Sequence, residues 1–325
     1  MRHTHLSLLL SSVLISLFWL ASCQKTEPDA LETSVHATAA RQVFADYKAF
    51  FKTYRELIEV ASEQDLDAWS KAQNCTNLLY TEDSNLKELP YALLAMLNEN
   101  AEFECGGDII WYNSGKLYRF DKKDEPNLTV LKSKPEQCQE IGRIETAVLG
   151  NVEDRTIILS TDGGEDAKNQ HEFIQQSYQP CAGELTQLRG TRKYVHEVRS
   201  TRIDVKDEKG NKVGNVYTLF LRLKLEYKTS KGKWLPAGEQ REMTIDVSGD
   251  VNMRDDGIIL LKSPIPFIAK RAFSCSGNLD IFIISATDHV EDTIDEWVLN
   301  MRGEITHHVM GDAASNAWSN KGVLW

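Results

Sequence analysis

The chain has 325 residues, of which 42% are hydrophobic and 26% charged, and this composition excludes a wholly disordered protein. Its formal net charge of −11 argues against nucleic acid as a partner, because binding to phosphates requires a basic surface. The length suits one large domain or two ordinary ones.

The first element in chain order is a segment with the pattern of a secretory signal. Arg2 precedes an apolar run from Leu6 to Leu20, which is shorter than the roughly 20 residues that a membrane-spanning helix needs. A basic start, an apolar run and small residues before a cleavage point are typical of signal peptides. We therefore predict that residues 1–22 are a signal peptide, absent from the mature protein.

The end of this segment resembles the lipobox of bacterial lipoprotein precursors. In Leu20-Ala21-Ser22-Cys23 an aliphatic residue and two small residues precede a cysteine. The resemblance implies lipid attachment to the Cys23 sulfur, cleavage before Cys23 and acylation, such as palmitoylation, of the new amino group. Two or more acyl chains anchor a protein stably to a membrane. Gln24 is not the aspartate that favours inner-membrane retention, so the resemblance implies the periplasmic face of the outer membrane in preference to the inner membrane.

A flexible tether and a helical region are predicted next. Residues 23–40 are polar and short of bulky apolar side chains, as flexible linkers are. Across residues 41–103 apolar residues recur at spacings of three and four, which predicts amphipathic helices. Further helices are predicted from near Asp65 and from near Ser84. The residues of the first apolar stripe are Phe44, Tyr47, Phe51, Tyr54, Ile58 and Ala61.

Residues 104–325 are predicted to form a β-rich domain, with a sub-boundary near 185–192. DIIWYNSGKLYRFD has a period of two around Asn-Ser-Gly, which predicts a hairpin. LTVLK at 128–132 is predicted to be a strand as well. Strict alternation over residues 215–228 predicts a long half-buried strand, within a meander of three strands over residues 193–248.

The last strong pattern predicts a helix. Val290, Ile294, Trp297 and Met301 fall at helical spacing, and Gly303 suits a C-terminal cap. The combined prediction is an α+β fold, in which a helical N-terminal region precedes a mainly antiparallel β-rich body with a C-terminal amphipathic helix.

Five of the six cysteines remain once Cys23 is assigned to the lipid anchor. An exported protein meets an oxidising compartment in which disulfides persist. Five thiols allow two bridges and one odd cysteine, and the connectivity does not follow from sequence. The simplest hypothesis pairs sequence neighbours, Cys75 with Cys105 and Cys138 with Cys181, and leaves Cys275 as a free thiol.

The sequence contains no strong catalytic or metal-binding motif, so no metal and no cofactor are predicted. His307 and His308 are adjacent, and neighbours on a strand point to opposite faces, so the pair is expected to pack or to be solvated. Residues 250–257, DVNMRDDG, resemble a calcium loop in composition. They lack the closing glutamate and are predicted to form a solvated turn.

The most favoured function is therefore a lipid-anchored, non-catalytic binding or assembly module of the cell envelope. Its expected partners are the membrane, through Cys23, and an envelope protein. Phe273-Ser274-Cys275-Ser276-Gly277 resembles the Cys-Ser-Gly start of an envelope cysteine peptidase family, which implies a hydrolase with Cys275 as its nucleophile as the alternative. A carrier of lipid or another hydrophobic ligand is a further alternative, and it requires an apolar cavity.

Overall fold

The predicted signal segment, Cys23 and the tether up to residue 39 lie outside the residues that the structure describes. The described residues from Ala40 to Trp325 belong to one unit of contacting elements. Among the described residues, no helix combines the length and the hydropathy required to cross a membrane. The computed structural model describes residues 40–60, 63–81, 83, 85–148, 157–158, 168–182, 184–207, 209–255, 258–275, 277–286 and 296–325.

Helices are few and short in the described chain, whereas several strands are long. The helices are α1 (Tyr47–Ile58), α2 (Glu63–Ala72), α3 (Tyr91–Met96) and α4 (Leu128–Lys132). The strands are β1 (Val43–Phe44), β2 (Glu102–Cys105), β3 (Asp108–Asn113), β4 (Lys116–Asp121), β5 (Gln139–Val148), β6 (Ile157–Ile158), β7 (Asn169–Tyr178), β8 (Thr186–Lys206), β9 (Lys212–Lys228), β10 (Trp234–Pro236), β11 (Arg241–Asp255), β12 (Ile258–Ser274), β13 (Asn278–Ala286), β14 (Glu296–Val309) and β15 (Trp318–Val323).

These strands form two sheets. The larger sheet has the order β1-β2-β3-β4-β5-β8-β9-β10, with β7 beside β8 and β13 beside β9. The smaller sheet has the order β12-β11-β14-β15, with β6 beside β14. Pairing is antiparallel in both sheets except between β1 and β2, which are parallel. The predicted meander over residues 193–248 is wrong, since β11 leaves β8 and β9 and joins the smaller sheet.

Strand β9 lies in the middle layer of the protein. One face carries Tyr217, Leu219 and Leu221, which share an apolar core with Met243 of β11 and Trp297 of β14. These three β9 residues are two positions apart and share one face, because successive side chains of a strand point to opposite faces. The smaller sheet therefore covers one face of the larger sheet.

The helices cover the opposite face of the larger sheet. Asp46 caps α1 by accepting a hydrogen bond from the Ala49 amide at 2.7 Å. The apolar side of α1 packs in one cluster with Val216 of β9. Gly214 allows this approach, because a Cβ there would lie 2.8 Å from the Phe51 ring. The predicted half-buried strand is thus covered on both faces, and the half-buried assignment is wrong.

The predicted hairpin is confirmed. Asn113 pairs with Lys116, and Ser114 and Gly115 both have positive φ, at 49° and 84°. Two successive residues with positive φ form the tight turn whose twist suits a two-residue hairpin. LTVLK, predicted to be a strand, is instead helix α4.

The predicted α+β fold is wrong, because the described residues are mostly β, with 55% in strands and 18% helical. The helices before residue 103 are separated by loops, and their buried residues join the core of the larger sheet. They do not form a helical region of their own. The third one begins at Tyr91 rather than near Ser84, because Pro90 has an extended backbone at the N-cap.

The predicted C-terminal helix is also wrong, and its described part is strand β14. Trp297, Leu299 and Met301 are buried, whereas Val298 and Asn300 between them are half-buried, which is a period of two. Strand β14 pairs with β11 along its whole length, from Arg254–Glu296 to Arg241–Val309. The spacing of apolar residues in this short run fits both a helix and a strand. It forms a strand because it pairs with β11.

Candidate functional site

A cleft opens where the larger sheet extends beyond the helices that cover it. One wall consists of residues between 79 and 94, and the other consists of the end of β9, strand β10 and the start of β13. Its volume is about 660 Å³, which is in the range of small-molecule binding sites. We refer to this space as the cleft.

The register of the strands explains the polar floor of the cleft. On β9, Arg222, Lys224 and Glu226 lie on the face that the helices cover. Arg222 is fully buried beneath the helical layer, whereas Lys224 and Glu226 are half-buried and line the cleft. Opposite Glu226 stand Lys193 on β8 and Pro236 on β10. The floor is therefore built on paired strands.

Aromatic rings stand at the mouth of the cleft. The Tyr80 side chain is 60% exposed, and Trp234 is half-buried. The ammonium groups of Lys193 and Lys228 lie 4.5 Å and 5.3 Å from the centre of the Trp234 ring. Lys193 also pairs with Glu226, at 3.1 Å between Nζ and Oε2. These cation–π and ionic contacts restrict the Trp234 ring before any ligand arrives.

Arg222 ties the floor of the cleft to its wall. Its Nε and Nη2 donate to the two carboxylate oxygens of Asp280 at 2.6 Å and 2.8 Å. Its Nη1 and Nη2 also donate to the main-chain carbonyls of Lys87 and Leu89, each at 3.1 Å. Tyr91 adds a second link, since its hydroxyl donates to the Asn278 carbonyl at 2.9 Å. Buried charges need such partners, and here they fix the segment that carries Glu88.

A second group of charges lies behind the cleft. Glu197 is fully buried, and its Oε1 accepts from Lys224 Nζ at 2.6 Å and faces Arg199 Nη1 at 3.4 Å. Arg199 also binds Glu88 on the opposite wall. Lys168 lies 3.9 Å from the other oxygen of Glu197. The ionic groups thus connect β8, β9 and the wall in one network.

The ionic network shifts the pKa values of its members. Burial would raise the pKa of Glu88, but the positive charges of Arg199, Lys224 and Arg222 outweigh it and lower this pKa to about 2. Burial lowers the pKa of Lys224, and the carboxylate of Glu197 opposes that effect. Glu88 is therefore ionised at neutral pH and provides a fixed hydrogen-bond acceptor at the cleft.

The disulfide of the structure joins Cys181 to Cys275, with their Cα atoms 5.8 Å apart. The loop that carries Cys181 runs beside residues 238–240, since Gln240 N donates to Gln179 O at 3.3 Å. The same stretch packs against the main chain of Cys275, because a Cβ on Gly238 would lie 3.4 Å from its carbonyl. Cys275 itself lines the cleft.

The predicted cysteine pairings are therefore corrected. Cys275 is bridged rather than free, and the predicted bridge from Cys138 to Cys181 does not form, because the fold places Cys181 beside Cys275. The prediction that neighbouring cysteines are bridged failed because long strands bring together cysteines that are far apart in the sequence. The predicted bridge between Cys75 and Cys105 is wrong as well, since both are buried free thiols in the described chain, and Cys138 is a half-buried free thiol.

The histidines have packing roles. His307 is fully buried, and its Nδ1 lies 3.3 Å from Nε2 of the equally buried His196. Burial, assisted by the charge of Arg241, lowers the pKa of His196 to about 3. His308 is half-buried on the same strand. Within the described chain, no three His, Cys, Asp or Glu side chains are grouped as a metal site would require.

The acidic residues that resemble a calcium loop do not form the predicted turn. Asp250, Asn252 and Asp255 lie in strand β11, and Asn300 on β14 donates to Asp250 at 3.2 Å. Asp256 lies outside the described residues. Residues 250–255 of the predicted turn are therefore in a strand that pairs with β12 and β14.

Neither the cleft nor its charged network was predicted from the sequence. The sequence contained one indication of the network. Three charged residues, Arg222, Lys224 and Glu226, occur in a strand that is otherwise strongly apolar. Their partners Glu88, Glu197 and Asp280 come from distant parts of the chain, and no short-range pattern connects them.

Comparison with known proteins adds little to this geometry. No protein-family model matches the chain, and no curated protein matches it. A solved structure to which the chain is similar is a DUF4848 family protein from Bacteroides thetaiotaomicron, with 9% sequence identity. The match covers 85% of this chain and 94% of that chain, and its TM-score is 0.17. A TM-score this low supports no conclusion about the fold or the function of this protein.

Proposed function

We propose that this protein is a non-catalytic binding protein of the cell envelope, held to a membrane by lipid on Cys23, and that its ligand occupies the cleft. The observation that carries the proposal is the cleft itself. It combines a volume of about 660 Å³ with aromatic rings at its mouth and fixed polar groups on its floor.

The fixed charges support binding in the cleft. Arg222 and Tyr91 hold the wall against the sheet through main-chain carbonyls, so the wall keeps its shape without a ligand. A site that is already organised loses less conformational entropy on binding, which favours affinity.

The disulfide supports the proposed compartment. A bridge such as Cys181–Cys275 persists in oxidising compartments and is rare in the reducing cytosol. An exported protein with the lipobox-like Leu20-Ala21-Ser22-Cys23 meets such an environment.

Two alternatives lose support from the same geometry. A cysteine hydrolase needs a thiolate, and the Cys275 sulfur is bonded to Cys181. A lipid carrier needs a large apolar cavity, whereas the cleft is lined by the charged groups of Glu88, Lys224 and Glu226. The apolar pocket that the described residues form beside Leu57 and Phe220 has a volume of about 30 Å³. That volume is about the share of one water molecule.

The binding proposal predicts that removing the aromatic rings abolishes retention of ligand. Small glycans and peptides from an envelope extract would be isotopically labelled and passed over immobilised protein. We expect the Tyr80→Ala/Trp234→Ala double variant to retain less than about a tenth of the material that the natural protein retains, because each ring supplies contact area at the mouth.

Phe273→Ala is the matched control for this experiment. Phe273 is an exposed aromatic residue, 52% accessible, that does not line the cleft. We expect this variant to retain as much material as the natural protein. Equal retention by the double variant, or no retention by the natural protein, would contradict the proposal.

A further inference from the structure

We infer that the ligand of the cleft is a neutral saccharide, recognised by the rings of Tyr80 and Trp234 and by the fixed charges of the floor and wall. This inference rests on the proposed binding function and adds the chemical class of the ligand.

The charged side chains that line the cleft are balanced in sign. The charged side chains that line it are Lys87, Glu88, Lys224 and Glu226, two of each sign. A ligand with a net charge would gain from one pair and be opposed by the other. The cleft therefore favours a ligand without net charge.

The charged groups of Lys224, Glu226 and Glu88 that face the cleft are also paired inside the protein. Lys224 binds Glu197 at 2.6 Å, Glu226 binds Lys193 at 3.1 Å, and Glu88 binds Arg199. A carboxylate has about four acceptor positions and an ammonium has three donors, so each group retains capacity for a ligand. A hydroxyl both donates and accepts, and it therefore suits a floor where ammonium and carboxylate groups alternate.

The aromatic rings supply the apolar part of the recognition. Tyr80 is 60% exposed and offers ring surface to the cleft. Trp234 is half-buried, and the part of its ring that Lys193 and Lys228 leave uncovered adds to this surface. The face of an aromatic ring is the negative side of its quadrupole. It attracts the partly positive C–H groups that cover one face of a pyranose ring. Ring faces beside alternating polar groups match a saccharide, which has a C–H face and a rim of hydroxyls.

The experiment is calorimetric titration of the full mature protein in detergent with defined probes. The neutral probes are pentasaccharides of glucose, mannose and xylose, and the comparators are an oligogalacturonate, a chitosan oligomer and trialanine. We expect at least one neutral pentasaccharide to bind with Kd below about 1 mM. Because no net charge is involved, we expect its Kd to change less than about twofold between low and high salt.

The variants locate the binding. We expect Tyr80→Ala and Trp234→Ala each to weaken this binding about tenfold, and Phe273→Ala to leave it unchanged.

The outcomes of these titrations distinguish the saccharide inference from the proposed binding function. Binding of only the charged probes or trialanine, lost in the Tyr80 and Trp234 variants, overturns the saccharide inference and leaves the binding function standing. If no probe binds but the double variant loses retention of envelope material, the saccharide inference alone falls. If no probe binds and retention is absent, both fall.

Discussion

Replacing Arg222 with methionine is expected to lower the free energy of unfolding by about 3–5 kcal/mol, because it leaves the carboxylate of Asp280 buried without its partner. The side chains of Arg222 and Asp280 are 1% and 9% exposed. The substitution also removes the donors to the carbonyls of Lys87 and Leu89. Urea unfolding of both proteins, analysed with the same slope, measures the difference.

A surface pair provides the matched control for this prediction. Arg271 pairs with Glu242 across β11 and β12, but its side chain is 64% exposed. Exposed pairs contribute at most about 1 kcal/mol, so we expect Arg271→Met to have a small effect. In the Arg222→Met/Asp280→Leu variant, part of the lost stability should return, because no unpaired carboxylate remains. A loss below about 1 kcal/mol for Arg222→Met would show that the buried network does not hold the wall of the cleft.

Removing the disulfide is the other change with a large expected effect. Cys181 and Cys275 are 94 residues apart in sequence, and in the chain-entropy description a bridge over such a loop contributes about 4–5 kcal/mol. We expect the Cys181→Ala/Cys275→Ala variant to unfold at a clearly lower urea concentration than the natural protein.

The disulfide prediction has two internal checks. Reduction of the natural protein should shift the unfolding midpoint in the same direction, whereas reduction of the double variant should have no effect. Cys138→Ala changes a free, half-buried thiol and should alter stability by about 0.5 kcal/mol or less. If the natural protein unfolds identically with and without reductant, the bridge does not stabilise it.

Local patterns predicted some strands well. The hairpin of β3 and β4 follows from alternation around Asn113-Ser114-Gly115, where the turn chemistry is contained in adjacent residues. The extended nature of β9 follows from its alternation. Its burial on both faces does not, because the covering helix α1 lies more than 150 residues earlier in the chain.

Other elements depended on distant partners. The run from Trp297 to Met301 fits a helix or a strand, and only pairing with β11 decides between them. The disulfide depended on β12 ending beside the loop of Cys181. The cleft joins residues near 80–91 to residues near 224–238, so its existence requires the folded arrangement of both. The membrane anchor remains a prediction from the sequence, whereas the candidate ligand site could be proposed only from the structure.

We propose that the protein works at a membrane surface to which Cys23 fastens it. The most direct measurement is fractionation of cells that produce the natural chain or the Cys23→Ala variant, with mass analysis of the N-terminal peptide. We predict that the natural protein sediments with membranes and begins at a lipid-modified Cys23. The variant should leave the membrane fraction or remain unprocessed, because the lipid supplies the anchoring free energy. A Cys23→Ala variant that is cleaved and still bound to membranes would contradict the account.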